Sequence, residues 1–524
     1  MRVLDRERAA DRKAWSGSVL YRDGGLNATD ASAEPSFFGD LNLDQVVAAA
    51  ISDRDEYQLA PFFYEPLPDV AAIAYRHEVL RDLEREEIAS VTYEFAERMR
   101  QMRERLRLVD KLRDRHQREH WFLGAVSGYC AAVRELRTAL EERAPTAAGL
   151  RSFAAYLAEY VDSAEFIELR DDTARLRQEL DAIRYQIMVK GLRVEVDVAV
   201  EAPDLTVQIE QTFERFRQGE VEDHRTKFRE RIETDPVEER ILAAVAEVFP
   251  AEFAHAANYL AARRKTFIDA TVARFDREVQ FYLAYLEYIT PLRASGLAFS
   301  YPVVSVDDKV IHVCEAFDLA LAAKLVEAGK PVICNDVELG VGERVIVVSG
   351  PNQGGKTTFA RTFGQLHHLA ALGLPVPGRD AALFIPDRLF THFERAEDLT
   401  TLRGKFEDEL VRLREILQVA TDRSVLIMNE SFSSTSLQDA LWVGERILRE
   451  VIARDMTCMC VTFIDELASL DEVVVSMMST VDPQDPSRRT FRVVRKPADG
   501  RAYAIALAQK HGVTYEQLKG RISR

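Results

Sequence analysis

Cysteine is scarce in this chain of 524 residues, and the five present, Cys130, Cys314, Cys334, Cys458 and Cys460, are odd in number and scattered. Apart from the lone Cys458-Met459-Cys460 pair, none has a metal-ligand spacing, so a cysteine metal centre is excluded. All five read as buried thiols, because a free cysteine packs as a small hydrophobe. No run approaches the roughly 20 apolar residues that a membrane span needs, and the opening MRVLDRERAADRKAW lacks the apolar segment of a secretory signal. A cytoplasmic protein with no membrane partner is the expectation. Positive charge is also short. The formal net charge of −17 excludes a surface that is basic all over, so any nucleic-acid contact must be local. Internal repeats and low-complexity tracts are absent.

What is present is enough apolar sequence, 47% of residues, to bury at least two cores, and a length that suggests about three domains. The texture changes along the chain. Residues 1–35 are polar and end in a loop-like Ala-Thr-Asp-Ala-Ser-Ala-Glu-Pro stretch, which reads as an extension with little structure of its own. From Ser36 to about residue 293 the pattern is helical. A first apolar seam, Ile88, Val91, Phe95, Met99, Met102, Leu106 and Val109, lies on a helix expected from about Tyr75 to Arg118. A second, Ile268, Val272, Phe275, Val279, Tyr282, Leu286 and Ile289, has the same 3/4 spacing, and the two seams are candidates to pack together. Between them Leu192-Arg-Val-Glu-Val-Asp-Val-Ala-Val200 alternates like a strand. This stretch reads either as an insertion at the end of a stalk or as part of one helical domain with a hairpin. After Pro291 come strands at Val303-Val304, Val310–Val313, Pro331–Cys334 and Val345–Val348, alternating with helices, which implies an α/β domain with a mostly parallel sheet.

Chemistry concentrates after the last of those strands. Gly350-Pro351-Asn352-Gln353-Gly354-Gly355-Lys356-Thr357-Thr358 fits the phosphate-loop pattern, with a strand before it and a helix after it. Glycines let backbone N–H groups curl around phosphate oxygens, and the helix directs its positive N-terminal end at them. Lys356 is the residue to reach the β and γ phosphates of ATP, and Thr357 the one to offer a hydroxyl to Mg²⁺. Such a loop needs acidic residues at the end of a neighbouring strand, and Val425-Leu-Ile-Met-Asn429-Glu430 supplies them. Glu430 is the candidate base for the attacking water. Asn429 stands where most phosphate-loop ATPases carry an aspartate that holds magnesium through water; an amide accepts from that water but adds no charge.

Together these segments resemble the MutS mismatch-repair family. Val348 to Thr358 is similar to its phosphate loop, Pro386-Asp-Arg-Leu-Phe-Thr391 with Ala396-Glu-Asp-Leu399 to the segment after the loop helix, and Met428-Asn-Glu430 with Ser434-Thr-Ser436 to its second nucleotide motif. Upstream, Asp40-Leu-Asn-Leu-Asp44, the long seams and the inserted stretch fit the family's helical core, lever and DNA clamp. The resemblance implies a multidomain α and α/β protein: an extension at 1–35, a core and lever at 36–164, a clamp-like insertion at 165–263, a returning lever helix at 264–300 and an ABC-type ATPase domain at 301–524. It implies ATP and Mg²⁺ as ligands, a homodimer whose partner completes each ATP site, and duplex DNA held by the clamp.

The departures shift the expectation. The motif that reaches the partner's γ-phosphate, with serine and threonine before phenylalanine, here reads Arg403-Gly404-Lys405-Phe406, leaving Lys405 as a substitute charge. A switch histidine is replaced by Phe463. The order begins with core-like sequence, so the N-terminal mismatch-reading domain and its aromatic wedge are not expected. Residues 170–265 hold 16 Lys or Arg against 20 Asp or Glu, which gives no broad footprint for DNA. Locally His224-Arg-Thr-Lys-Phe-Arg-Glu-Arg231 is basic, and so is the set Arg488, Arg489, Arg492, Arg495 and Lys496. Two functions follow: an ATP-dependent DNA-binding protein of mismatch repair, or of other repair and recombination, or an ATP-switched dimeric interaction protein with weak hydrolysis and no DNA.

Overall fold

The computed structural model describes residues 17–23, 33–191, 193–199, 236–395, 404–485, 488–498, 514–515 and 518–519. The chain divides into two compact units: Met1–Asp82 with Ala147–Gly149 and Arg277–Arg524, and Leu83–Thr146 with Leu150–Asp276. Among the described residues no helix is long and apolar enough to cross a membrane.

The N-terminal part is helical. Helices α1 (Leu43–Ala50), α2 (Ala60–Tyr64) and α3 (Val70–Leu83) are followed by α4 (Glu86–Lys111) and α5 (Arg115–Arg143), which pack against each other. The single helix expected over 75–118 is therefore interrupted twice. The second break has a local cause: Asp114 takes an extended backbone and its carboxylate accepts from the N–H of Gln117 at 2.8 Å, starting a new helix. Next come α6 (Ala148–Val161), α7 (Ala164–Asp181), an antiparallel hairpin of β1 (Tyr185–Lys190) and β2 (Arg193–Val198), then α8 (Pro236–Val248), α9 (Pro250–Arg263) and α10 (Ala270–Ala294). The alternation at 193–198 is thus one arm of a hairpin whose other arm, β1, is less regular in sequence. The seams meet where Phe95 touches Phe275, with ring centroids 5.7 Å apart, and Phe275 in turn stacks on Phe153 at 3.7 Å. The basic stretch His224–Arg231 lies outside the described residues.

The extension at 1–35 needs correction for residues 17–23. Ser18, Val19 and Leu20 are buried. Buried backbone must find partners, and here the Glu278 carboxylate accepts from Ser18 Oγ and from the N–H groups of Val19 and Leu20. Tyr75, Tyr282 and Arg76 donate to the carbonyls of Ser18, Val19 and Leu20.

The remainder is a mixed α/β region. Two short strands, β3 (Phe299–Ser300) and β4 (Val303–Ser305), lead to β5 (Ile311–Ala316), α11 (Leu319–Glu327), β6 (Asn335–Leu339), β7 (Val345–Ser349), α12 (Lys356–Ala371), β8 (Val376–Pro377), β9 (Arg379–Phe384) and β10 (Leu389–Phe393). Helix α13 (Lys405–Val419), β11 (Val425–Asn429), α14 (Leu437–Ala453), β12 (Thr457–Val461), β13 (Val474–Val481) and β14 (Arg489–Arg495) follow. The stretch Pro331–Cys334 is not a strand; pairing begins one residue later, where Val337 and Leu339 of β6 turn inward. The six-stranded sheet has the order β10-β11-β12-β7-β13-β14, parallel throughout except for the β13–β14 pair. Strands β7, β11 and β12 are buried at every residue, as continuous apolar runs in a sheet covered on both faces should be. Cys130, Cys458 and Cys460 are buried as expected, whereas Cys314 and Cys334 are only half-buried.

Candidate nucleotide site

The buried run Val345–Ser349 carries the chain to the C-terminal edge of the sheet, where ligands of open α/β folds bind. There Gly350 turns with φ of 110°. A side chain is excluded at this position, because a Cβ would stand 2.7 Å from both the carbonyl oxygen and Oγ of Ser479. Gly354 has the same constraint against Ser479 Oγ, at 2.6 Å. Pro351 and Gly354 are buried, Asn352 and Gln353 are exposed, and Thr357 and Thr358 are half-buried in the first turn of α12. Gly355 precedes that helix with no side-chain cap, so the first-turn N–H donors face the loop without a competing acceptor.

Lys356 is buried, and its Nζ donates to the carbonyls of Gly350 and Pro351 at 3.0 and 3.3 Å and to Asn352 Oδ1 at 3.4 Å. Burial lowers its pKa; the Glu430 carboxylate acts against that and Arg489 reinforces it. Glu430 Oε1 lies 3.9 Å from Lys356 Nζ. The strand that carries it is not adjacent to β7: β12 lies between β11 and β7, so the acid reaches the loop across one intervening strand. Glu430 is held with φ of 51°, a left-handed conformation that is uncommon for a residue with a side chain, while its N–H donates to Val461 O at 2.9 Å. Asn429 ends β11; it is buried and its Oδ1 has no hydrogen-bond partner among the described residues.

These residues fit ATP with magnesium. An uncapped helix end and a buried ammonium suit polyphosphate, and the orphaned buried acceptor of Asn429 suits a metal-bound water. Other sequence candidates are placed elsewhere. Lys405 forms an ion pair with Glu394, which also accepts from Ser433 Oγ at 3.1 Å. Phe463 is 48% exposed. Of the basic set in β14, Arg489 donates to Asn352 O at 3.1 Å, Arg492 to Cys334 O at 2.7 Å, and Arg495 pairs with Glu343. Ala396–Leu399 and Arg403 lie outside the described residues.

Three further residues border the loop or Glu430 without belonging to its motifs, although Arg489 is one of the basic set read from the sequence. Ser479 abuts the loop from β13, Arg489 ties its Asn352 turn, and His392 braces the chain after Glu430. His392 is buried, which pushes its pKa down to about 4 and keeps it neutral. Nδ1 therefore accepts from Ser431 Oγ at 2.7 Å while Nε2–H donates to Glu409 O at 3.0 Å. For His392 the sequence signal is a lone histidine on a strand, which is more often ordinary core.

The sheet order, the uncapped phosphate loop and the strand-end carboxylate define an ATPase domain of the ABC type. Residues 346–519 match the model for MutS domain V, and this region belongs to that family. Similar curated proteins are DNA mismatch repair proteins MutS: that of Erythrobacter litoralis (strain HTCC2594) is 29% identical over 419 residues, 75% of this chain and 45% of the relative. That of Thermotoga maritima is 31% identical over 183 residues, 34% of this chain and 23% of the relative. That of Chlorobaculum tepidum is 27% identical over 200 residues, 37% and 23%. The chain spans less than half the length of these relatives.

Proposed function

We propose that this chain binds ATP on the 350–358 loop and hydrolyses it slowly, Glu430 activating water, as the switch of a MutS-like, DNA-associated dimer. The observation that carries the reading is the convergence of the uncapped α12 terminus, buried Lys356 and Glu430 within 3.9 Å of the lysine Nζ. Lys356 would leave its loop carbonyls to bind β- and γ-phosphate oxygens, where it meets charge that grows during phosphoryl transfer. Glu430, at the mouth of the loop, would orient the water and take its proton. The His392–Ser431 bond would hold that carboxylate in register. Thr357 and, through water, Asn429 would hold magnesium, which would supply further charge neutralisation. On this reading residues 165–263 act as the clamp and the seams as levers, with DNA repair as the setting.

A second reading is an ATP-switched interaction protein without DNA. It is favoured by Asn429, by Phe463 in place of a histidine, and by the acidic balance of 170–265. Labelled ATP tests the site: Lys356→Ala should abolish binding, and Glu430→Gln should bind normally but retain ATP at least tenfold longer. Equal turnover by wild type and Glu430→Gln would remove Glu430 from its role. A low-salt panel of duplex, mismatched and branched DNA, with and without ATP, separates the two readings; absence of both binding and ATPase stimulation eliminates the first.

A further inference from the structure

The geometry points to a docking site for an acidic amphipathic helix on the outer face of the ATPase region, in the cleft between α13 and α14. The cleft has a volume of about 470 Å³. Its floor is apolar: Leu410, Leu413 and Leu417 present one stripe of α13, and Val443 and Ile447 one stripe of α14. Leu413, Val443 and Ile447 also belong to the core beneath the sheet, so the floor is rigid. Trp442 forms one wall and is 64% exposed. A large aromatic left in water beside a buried apolar floor is the composition of an interface anchor.

Charge selects the occupant. Three arginines, Arg414, Arg446 and Arg454, line the cleft, and no aspartate or glutamate does, on a chain whose formal net charge is −17. Arg449 and Arg454 on or next to α14 are neutralised by Glu445 and Glu450 at 2.8 and 2.7 Å. Arg414 and Arg446 have no such ion-pair partner among the described residues; Arg446 lies over the Trp442 ring, 5.8 Å from its centroid. The two unneutralised guanidiniums stand on different helices and so flank the apolar floor. Arg454 closes one end by donating to Leu417 O.

Shape selects a helix. From Leu410 to Leu417 the apolar stripe runs about 11 Å, two turns at 1.5 Å per residue. An extended segment laid there would bury backbone groups against leucines with nothing to bond, whereas a helix satisfies its own. The fitting ligand is therefore a helix with apolar residues at i, i+3 or i+4 and i+7, flanked by carboxylates that reach Arg414 and Arg446. The site is independent of the nucleotide reading.

The test uses the full-length chain and a fluorescein-labelled 18-residue helical peptide with leucines at those spacings and glutamates on both flanks, beside a lysine-flanked counterpart. Anisotropy titration should give saturable binding of the glutamate peptide, weakened at least tenfold by Trp442→Ala and several-fold by raising salt from about 0.05 to 0.3 M. The Arg414→Glu, Arg446→Glu double variant should reverse the preference, taking the lysine peptide and losing the glutamate one. Both variants should keep the wild-type melting temperature and ATP uptake, which separates loss of docking from loss of folding. Equal affinity for both peptides in wild type, insensitivity to Trp442→Ala, or absence of binding would each overturn the proposal. So would a change of sedimentation behaviour in Trp442→Ala, because a second copy would then be the occupant.

Discussion

Among the described residues the two units differ in the basic side chains they bury. The ATPase-bearing unit encloses four histidines, His77, His367, His368 and His392, together with Lys356 and Arg76. Among the described residues the inserted helical unit keeps its histidines, His116, His120 and His255, out of the buried class, and it holds aromatic contacts such as Phe153 on Phe275 and Phe122 on Phe267. Burying a polar group requires a matching partner, so it fixes geometry at the cost of sensitivity to protonation; burying an aromatic ring stabilises strongly but specifies no reactive arrangement. Residues that place a loop or a carboxylate accordingly collect in the first unit.

The sharpest way to break this comparison is Phe153→Ala. The ring is fully buried and stacked, so its removal should cost about 3–5 kcal/mol. Calorimetry should show the helical unit melting first while ATP uptake persists; simultaneous loss of both would mean that the units do not differ as described. Next in size is acid. His77, His367, His368 and His392 are each driven down to about 4 from an ordinary 6.5, in every case chiefly by burial. They are neutral in the fold, and the unfolded chain takes up more protons between those values. Their contribution is thus fully present above about pH 6.5 and is lost as pH falls toward 4, at about 1.4 kcal/mol per pH unit per histidine. Denaturant titrations at pH 7.5, 6 and 5 should show the nucleotide-binding unit weakening more than the helical one. The smallest effect expected is for Asp114→Ala, which removes the cap of α5 and should cost the helical unit about 1 kcal/mol, read as a shifted denaturation midpoint with unchanged ATP affinity.

Much of the nucleotide site was legible because its signals are local. Val345–Ser349 is a continuous apolar run, and the glycines, Lys356 and Thr357 follow at fixed offsets, so strand, loop and helix are specified by neighbours in the chain. Glu430 is legible as a strand-end acid, but the place of its strand is not, since no local pattern says that β12 intervenes between β11 and β7. Pro331–Cys334 reads as a strand yet forms none for a related reason: a short apolar run carries no register, whereas inward and outward alternation in Asn335–Leu339 does. The order at residues 18–20 is not legible, because the polarity of 1–35 hides three residues whose backbone is satisfied by Glu278, Tyr75, Tyr282 and Arg76 from distant helices.

By itself the amino-acid order determined the elements whose logic is contained within a few residues: the phosphate loop, the buried strands, the amphipathic helices and the deficit of positive charge. Only the tertiary structure decided which remote groups meet: Ser479 against Gly350 and Gly354, Arg489 on Asn352, His392 behind Ser431, and Trp442 beside an uncovered apolar floor. Hydrogen bonds and close contacts depend on distance in space, and the order of strands in a sheet, which sets those distances, leaves no mark on any single stretch of chain.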